Sequence, residues 1–485
     1  MPEFSVFKGN SIPKSLPRAL RGRALRRLPP CLLLSAALGL AFAAGLRAAE
    51  IQVPAFRPGP QTQLNAPYLA PVTPVAYSVN LAVADPLGES SRKAPLQNAI
   101  LHNLSFLPFI RLADPEAIPG GTLLPAASGP EMDLERFRLA GMDNLITSVW
   151  LNPYQVEIRA YEVESGRFMF GSRLDAAENG RIEDVADEFC AQFMETLTGR
   201  GDFFRASLAF VRSSGPAKRD IWVTRPTGRD LRQITNVPGN AISPAWSRDG
   251  RFIIFSHIDS QSHALGIWDS ANGRMQRIRF PGNTVIGPCF TPDNKVIVGL
   301  SDGYNPGIFL LDRSFNRERK LISSRGIDVS PSVDASGSKI VFTSSRLGNP
   351  HIFMEDLKTG TTTRISFEGK YNTDPSISPD GTLVAFSRQM GDVHRIFVHD
   401  LRTGLEQQIT FGPGSDEQPE FAPDSYFIAF TSTRSGQKEI YLTTRHGSEA
   451  KKVPVGRGDA SFPSWGLPET ERSRITPAGA PPLTN

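Results

Sequence analysis

A repeat of about 44 residues constrains this chain more than any other feature. Its clearest copy is Asp374-Pro-Ser-Ile-Ser-Pro-Asp-Gly381, followed by Leu383-Val-Ala-Phe-Ser387, Arg395-Ile-Phe-Val-His-Asp400 and Glu406-Gln-Gln-Ile-Thr410. The proline that opens each copy recurs at 244, 288, 331, 375, 419 and 463, with gaps of 44, 43, 44, 44 and 44 residues. Self-similarity at this period, with four short strand-like runs per unit, is the mark of a β-propeller of WD40-like repeats. Two places after each proline stands an apolar residue: Trp246, Phe290, Val333, Ile377, Phe421 and Trp465. The place between is small or polar in most copies, as in a strand with one face against its neighbour. Proline at the first residue of that strand removes no ladder donor. Turns such as Ser247-Arg-Asp-Gly250 follow, in which Asp bonds its own backbone and Gly accepts φ > 0. The second strand is nearly all apolar (Phe252-Ile-Ile-Phe255, Phe427-Ile-Ala-Phe430), as expected where both faces are buried.

Counting the copies gives the closure. Three strands, Leu208–Val211, Ile221–Val223 and Leu231–Thr235, precede the first opening proline, and an orphan first strand, Ser461–Trp465, ends the series. That orphan can pair only with the first unit. The expectation is a mainly β chain: a six-bladed β-propeller over 203–466, fastened by its last strand and preceded by a small α+β domain over 75–200. In that domain, strands are expected at 75–83, 109–112, 144–150, 155–163 and 167–174. Helices are expected at 93–104, at 134–142 from an Asp133 N-cap, and at 182–197, where Val185, Phe189, Phe193 and Leu197 form one stripe.

The flanking segments carry other signals. Residues 1–49 hold eight Lys or Arg and one Glu, and Arg18, Arg21, Arg23, Arg26 and Arg27 precede the apolar run from Cys31 to Leu46. Small residues follow, so 1–49 reads as a secretory signal with an extended n-region. Arg26-Arg27 hints at the twin-arginine route, but Leu-Pro-Pro follows, which favours the ordinary one. Residues 50–74 are Pro-rich and aperiodic, an extended arm, and 467–485 read as a disordered tail. The remaining apolar stretches are too short to span a bilayer, so the exported chain is expected to be soluble.

Charge and residue spacing exclude several functions. Residues 50–485 hold 45 basic and 48 acidic residues, so the first 49 carry +7 and the rest −3, and the overall +4 gives no argument for nucleic-acid binding. The seven histidines lack metal-ligand spacing, and no Gly-rich phosphate loop precedes a helix, so no cofactor or metal is expected. Gly299-Leu-Ser-Asp-Gly303 fits a nucleophile elbow, but a strand follows where a helix is needed. Cys190 and Cys289 read as two buried free thiols. What remains is surface. The connections into each inner strand emerge on one rim and carry acids and amides near the axis, where a rigid ring offers binding residues. A propeller-gated hydrolase and a ligand-sensing axial channel are the alternatives to a binding scaffold.

The chain resembles the TolB family, the periplasmic propeller proteins of the Tol–Pal envelope system. The resemblance rests on Leu197-Thr-Gly199 with Phe203 and Phe204, on Ser243-Pro-Ala-Trp-Ser-Arg-Asp-Gly250, Phe342-Thr-Ser-Ser345 and Arg364-Ile-Ser366, and on the closing Phe462-Pro-Ser-Trp465; it covers about 75–466. It implies a monomeric, non-catalytic periplasmic scaffold that supports outer-membrane integrity and constriction at cell division. It implies contact with the Pal lipoprotein through the propeller rim, best matched at Thr284, Gly287 and Val329; the acids and amides of the rim connections add Asp328, Thr373, Asp374 and Glu417 to the expected partner-binding set. It also implies contact with TolA through Glu50, Ile51, Gln52 and Val53 of the arm, by adding a strand to the partner's sheet edge. The arm here is more Pro-rich than the family's.

Overall fold

The computed structural model describes residues 78–466, apart from Pro130, 177–179, Pro216, Asn283, Asp302 and Tyr304. The leader, the arm with its Glu50–Val53 segment, and the tail lie outside the described residues.

The N-terminal part is a five-stranded mixed sheet. Its strands are β1 (Val79–Val83), β2 (Ile110–Leu112), β3 (Asn144–Asn152), β4 (Gln155–Glu162) and β5 (Phe168–Asp175), in the order β2-β1-β3-β4-β5. β1 runs parallel to both β2 and β3, and the remaining pairs are antiparallel. Helices α1 (Lys93–Ser105) and α3 (Ile182–Thr198) bury Leu96, Ile100, Leu104, Phe189 and Phe193 in one core. The short helix α2 (Glu135–Leu139) places Phe137 in a second core with Leu145, Tyr161 and Val163. α2 is shorter than its periodicity suggests. Asp133 does not cap it but lies 3.9 Å from Arg136, and Gly141 at φ +72° turns the chain out. Gly199 at φ +78° stops α3, as its position after Thr198 implies.

From Ser207 the chain is a β-propeller. Four separate four-stranded antiparallel sheets follow one another, opening with inner strands Val285–Phe290, Asp328–Val333, Asn372–Ile377 and Asp416–Phe421. The remaining strands form one eight-stranded sheet. It contains Asn240–Trp246 with its three followers, and Ser207–Gly215 with Lys218–Thr224, Arg232–Gln233 and the C-terminal Ala460–Gly466. These two halves meet at a single parallel pair, Arg219 with Asn240. The C-terminal strand returns to the first unit: Trp465 pairs with Leu208, and Ser461 with Val211.

Side chains from the repeat hold the sheets together. In the turn motif, Ser247 donates to Asp249 and Ser378 to Asp380, each at 2.6 Å. The Ile-Thr or Ile-Ser that closes a unit has its own task. The hydroxyls of Thr235, Ser366 and Thr410 accept the backbone N–H of Ile221, Ile352 and Ile396, each at 2.9 Å. Between sheets, Ser332 accepts the N–H of Ile377 and Ser376 that of Phe421.

The α/β part and the propeller share a core. Phe203 and Phe204, just past α3, are buried, and the Phe203 ring lies 4.3 Å from Phe427 and 5.9 Å from Trp465. A buried polar latch joins them too, since Asp187 of α3 accepts from Asn103 and from Arg229 of the propeller. Trp465 thus serves the closure and the junction together, and its indole N–H donates to the Glu420 carbonyl. Trp465→Ala should cost about 3–5 kcal/mol, read as an earlier denaturant midpoint with both parts unfolding together.

Candidate partner-binding face

The inner strands do not begin at their prolines. They begin three or more residues earlier, at Asn240, Val285, Asp328, Asn372, Asp416 and Ala460. Each proline therefore sits inside a strand, and each inner ladder has a register shift there. The residue before it is left-handed in every unit: Ser243, Gly287, Ser330, Asp374, Gln418 and Phe462, with φ between +51° and +56°. A bulge is one of the few places a sheet accepts proline, and it bends the strand and re-aims the residues around it. The expectation of proline at a strand start is corrected accordingly.

This moves the seven expected rim residues. Only Thr284 precedes its strand; the other six lie in inner strands rather than in loops. Gly287 is structural. Beyond its positive φ, a Cβ there would stand 2.9 Å from the Ser330 Cα of the next sheet. Asp328 is fully buried, so its side chain is not surface. It accepts from Ser344 at 2.5 Å and from the Arg346 guanidinium at 3.0 Å. Val329 is half-buried beside the Gly299 backbone. The structure does bring Thr373, Asp374 and Glu417 together: Thr373 donates to Asp374, and Glu417 pairs with His394 at 3.2 Å. Burial pushes the Asp374 carboxyl up to about 6; the Thr373 hydroxyl opposes this, nearby Glu417 adds to it, and His394 opposes it.

On the same side of the sheets as that acidic cluster stand five exposed apolar side chains. Met390 ends a second strand, Leu347 lies in the connection between a second and third strand, and Phe367, Tyr371 and Phe411 lie in connections into the next inner strand. Phe367 is 67 % exposed and Phe411 60 %. Tyr371 stands edge-on to His394, with centroids 6.1 Å apart. Phe367 and Phe411 stand 44 residues apart and Leu347 and Met390 stand 43 apart, so the repeat itself sets their spacing, while Tyr371 lies outside that pairing.

A second device, also unforeseen, fixes this side of the ring. Asp328–Ser344–Arg346 recurs as Asp416–Ser432–Arg434, with distances of 2.6 and 3.0 Å in the second copy. In each, the guanidinium lies about 5 Å above two rings, Phe342 and Phe353 or Phe430 and Tyr441. Arg388 repeats the stacking on Phe386 and Phe397, with Asn372 in place of the aspartate. The signal was legible as Phe342-Thr-Ser-Ser-Arg346 and Phe430-Thr-Ser-Thr-Arg434, 88 residues apart.

On the axis, where the inner strands end, Arg248, Cys289, Ser332, Glu420 and Ser464 line a cavity walled by Trp246, Phe290, Phe421 and Trp465. Burial pushes the Glu420 carboxyl up to about 7 and the Cys289 thiol to about 12. Cys190, buried in α3, is also free. Ser301 lies in the connection to strand Gly307–Leu311, so no helix follows it. Among the described residues no cluster of His, Cys, Asp or Glu could hold a metal, and no helix is long and apolar enough to cross a membrane.

Removing the Arg346 guanidinium leaves Asp328 buried and uncompensated. Arg346→Met should destabilise the fold by about 3–5 kcal/mol, measured by urea unfolding. Glu420 has a folded-state pKa above its unfolded value near 4.3, so its ionisation opposes folding. Glu420→Gln should match the parent chain below about pH 4 and gain relative stability up to about pH 7, then level off, in midpoints measured across pH.

The model of the TolB beta propeller domain matches residues 194–468. A Tol-Pal system protein TolB from Nitratidesulfovibrio vulgaris is 53% identical over 281 residues, which is 56% of this chain and 64% of that protein. A TolB homolog from Chlorobium chlorochromatii is 31% identical over 188 residues, 39% of this chain and 42% of that protein. The matched region thus spans less than two thirds of these relatives. The crystal structure of TolB from Acinetobacter baumannii superposes with a TM-score of 0.69 over 80% of this chain and 96% of that one, at 20% identity, a likeness of fold. With its propeller matched from end to end, the chain belongs to the TolB β-propeller family.

Proposed function

We propose that this protein is a non-catalytic periplasmic scaffold of the Tol–Pal system. In this reading the eight-stranded sheet is two adjoining blades, which makes the ring six-bladed. The domains are an exported leader over 1–49, an arm over 50–74, an α+β domain over 75–200 and a propeller over 203–466. The chain acts as a monomer. Its rim takes a peptidoglycan-associated lipoprotein, and the arm at Glu50–Val53 takes a TolA-like inner-membrane protein, so that the two envelope layers are coupled at division.

The observation that carries this reading is the exposed set of Leu347, Phe367, Tyr371, Met390 and Phe411 on the same side of the sheets as Thr373, Asp374 and Glu417. Large apolar side chains exposed together on a rigid frame, with polar groups among them, are the anatomy of a protein-binding face. Asp328 and Gly287 serve it by holding the inner strands, and Thr373, Asp374 and Glu417 are the members of the expected set that reach a partner.

Titration of the purified chain with the soluble domain of a peptidoglycan-associated lipoprotein tests this. The double variant Tyr371→Ser, Phe411→Ser should bind at least about 30-fold more weakly, as expected when anchoring residues are lost. Its thermal midpoint should hold, and Met275→Ser on an outer strand should bind like the parent. Equal binding by the double variant removes the rim assignment. Deleting residues 50–53 should abolish capture of a TolA-like domain and leave lipoprotein binding intact.

A further inference from the structure

The whole body is nearly neutral, yet its charge is polarised. Residues 274–325 hold nine Lys or Arg against four Asp or Glu, whereas residues 50–485 as a whole hold 45 against 48. The excess lies on the outermost strands of two neighbouring sheets, Met275–Arg279 and Arg317–Ile322, and on the turns at their ends. Several of the charges in this stretch are accounted for. Arg277 pairs with Asp259 and Lys295 with Glu318; Asp312 turns back to accept the N–H groups of Ser314 and Asn316. Arg274, Arg279, Arg319 and Arg325 are exposed, and among the described residues none of them makes an ion pair. Elsewhere in the ring the pattern differs: Arg346, Arg388, Arg395 and Arg434 are each paired with a carboxylate.

The two strands form one belt. Arg317 reaches across to the carbonyl of Pro281, two residues past Arg279, at 3.1 Å, and its guanidinium lies 5.7 Å from the Phe280 ring. The belt is an outward-facing strand surface, so it presents spread charges rather than a shaped pocket. Alternate residues on a strand recur about every 6.8 Å, which sets Met275, Arg277 and Arg279 in a row on one exposed face. Guanidinium groups are weakly hydrated and fork onto phosphate oxygens. A planar, laterally mobile array of phosphodiesters satisfies such a row without a fitted cavity.

We propose that this belt is a docking surface for a membrane rich in anionic phospholipid, contacted through headgroup phosphates by Arg274, Arg279, Arg319 and Arg325. It is separate from the rim and does not depend on the lipoprotein-binding reading. Each cation removed should weaken partitioning about fivefold, and salt should screen the attraction.

Hydrogen exchange on the full chain tests the proposal, because it reads the belt itself whatever the leader does. Vesicles of phosphatidylglycerol in phosphatidylcholine should slow exchange in 275–279 and 317–322 at low salt. Pure phosphatidylcholine should not, and high salt should abolish the slowing. The variant Arg274→Ser, Arg279→Ser, Arg319→Ser, Arg325→Ser should lose it, while the corresponding Arg→Lys variant should keep most of it. Unchanged exchange in both strands with the anionic vesicles, or slowing that survives in the serine variant, overturns the proposal. The cations would then serve only to guard two sheet edges against pairing.

Discussion

The antiparallel pairing of Ala460–Gly466 with Ser207–Gly215 is the constraint on which the rest of the structure depends. A row of twisted sheets has two ends, each an edge with unpaired donors and acceptors. Here the last strand of the chain completes the first sheet, so the ring closes without a long free edge. The same strand supplies Trp465, which meets Phe203 at the junction with the α/β part. Closing the ring and attaching the N-terminal sheet are therefore one packing event. That is why one core contains Leu96, Phe189, Phe427 and Trp465, residues separated by more than 350 positions.

Within the closed ring, the inner strands are held by groups that recur because the repeat recurs. The bulge at each proline places a left-handed residue next to the axis and turns the strand's start toward the rim. Behind it, the Asp328 and Asp416 carboxylates are held by a serine and an arginine whose guanidinium is stacked on two rings. A buried carboxylate is costly unless fully paired, so these clamps specify where each strand lies. They also divide the acids by use. Those that open a strand and are fully buried hold the frame; those one or two places on, such as Asp374 and Glu417, stand half-buried beside Thr373 and His394. The rigid frame lets Tyr371, Phe367 and Phe411 remain exposed without collapsing onto one another.

The likeness to TolB proteins and the sequence repeats agree on architecture, and they differ in what they can say about partners. The family model matches along the propeller, and the matches to the relatives cover less than two thirds of their own length. The rim reading therefore rests on the exposed apolar side chains, and the outer basic belt on the cations of 274–325.

The spacing of six prolines, the apolar second strands and the orphan strand at 461–465 were enough to specify a propeller closed by its own C-terminus. That much follows from local chemistry, because strand periodicity and turn residues are written in adjacent positions. The helix stripe of Val185, Phe189 and Phe193 was legible for the same reason. The fate of single polar residues was not. Asp328 and Asp374 each stand close before a repeat proline, yet one is buried under Arg346 and the other stands half-buried beside His394 and Glu417. Burial, pairing and the gathering of Phe367, Tyr371 and Phe411 depend on contacts between sheets some 44 residues apart or more. Only the closed tertiary structure decides those contacts, because only there do distant side chains displace each other's water.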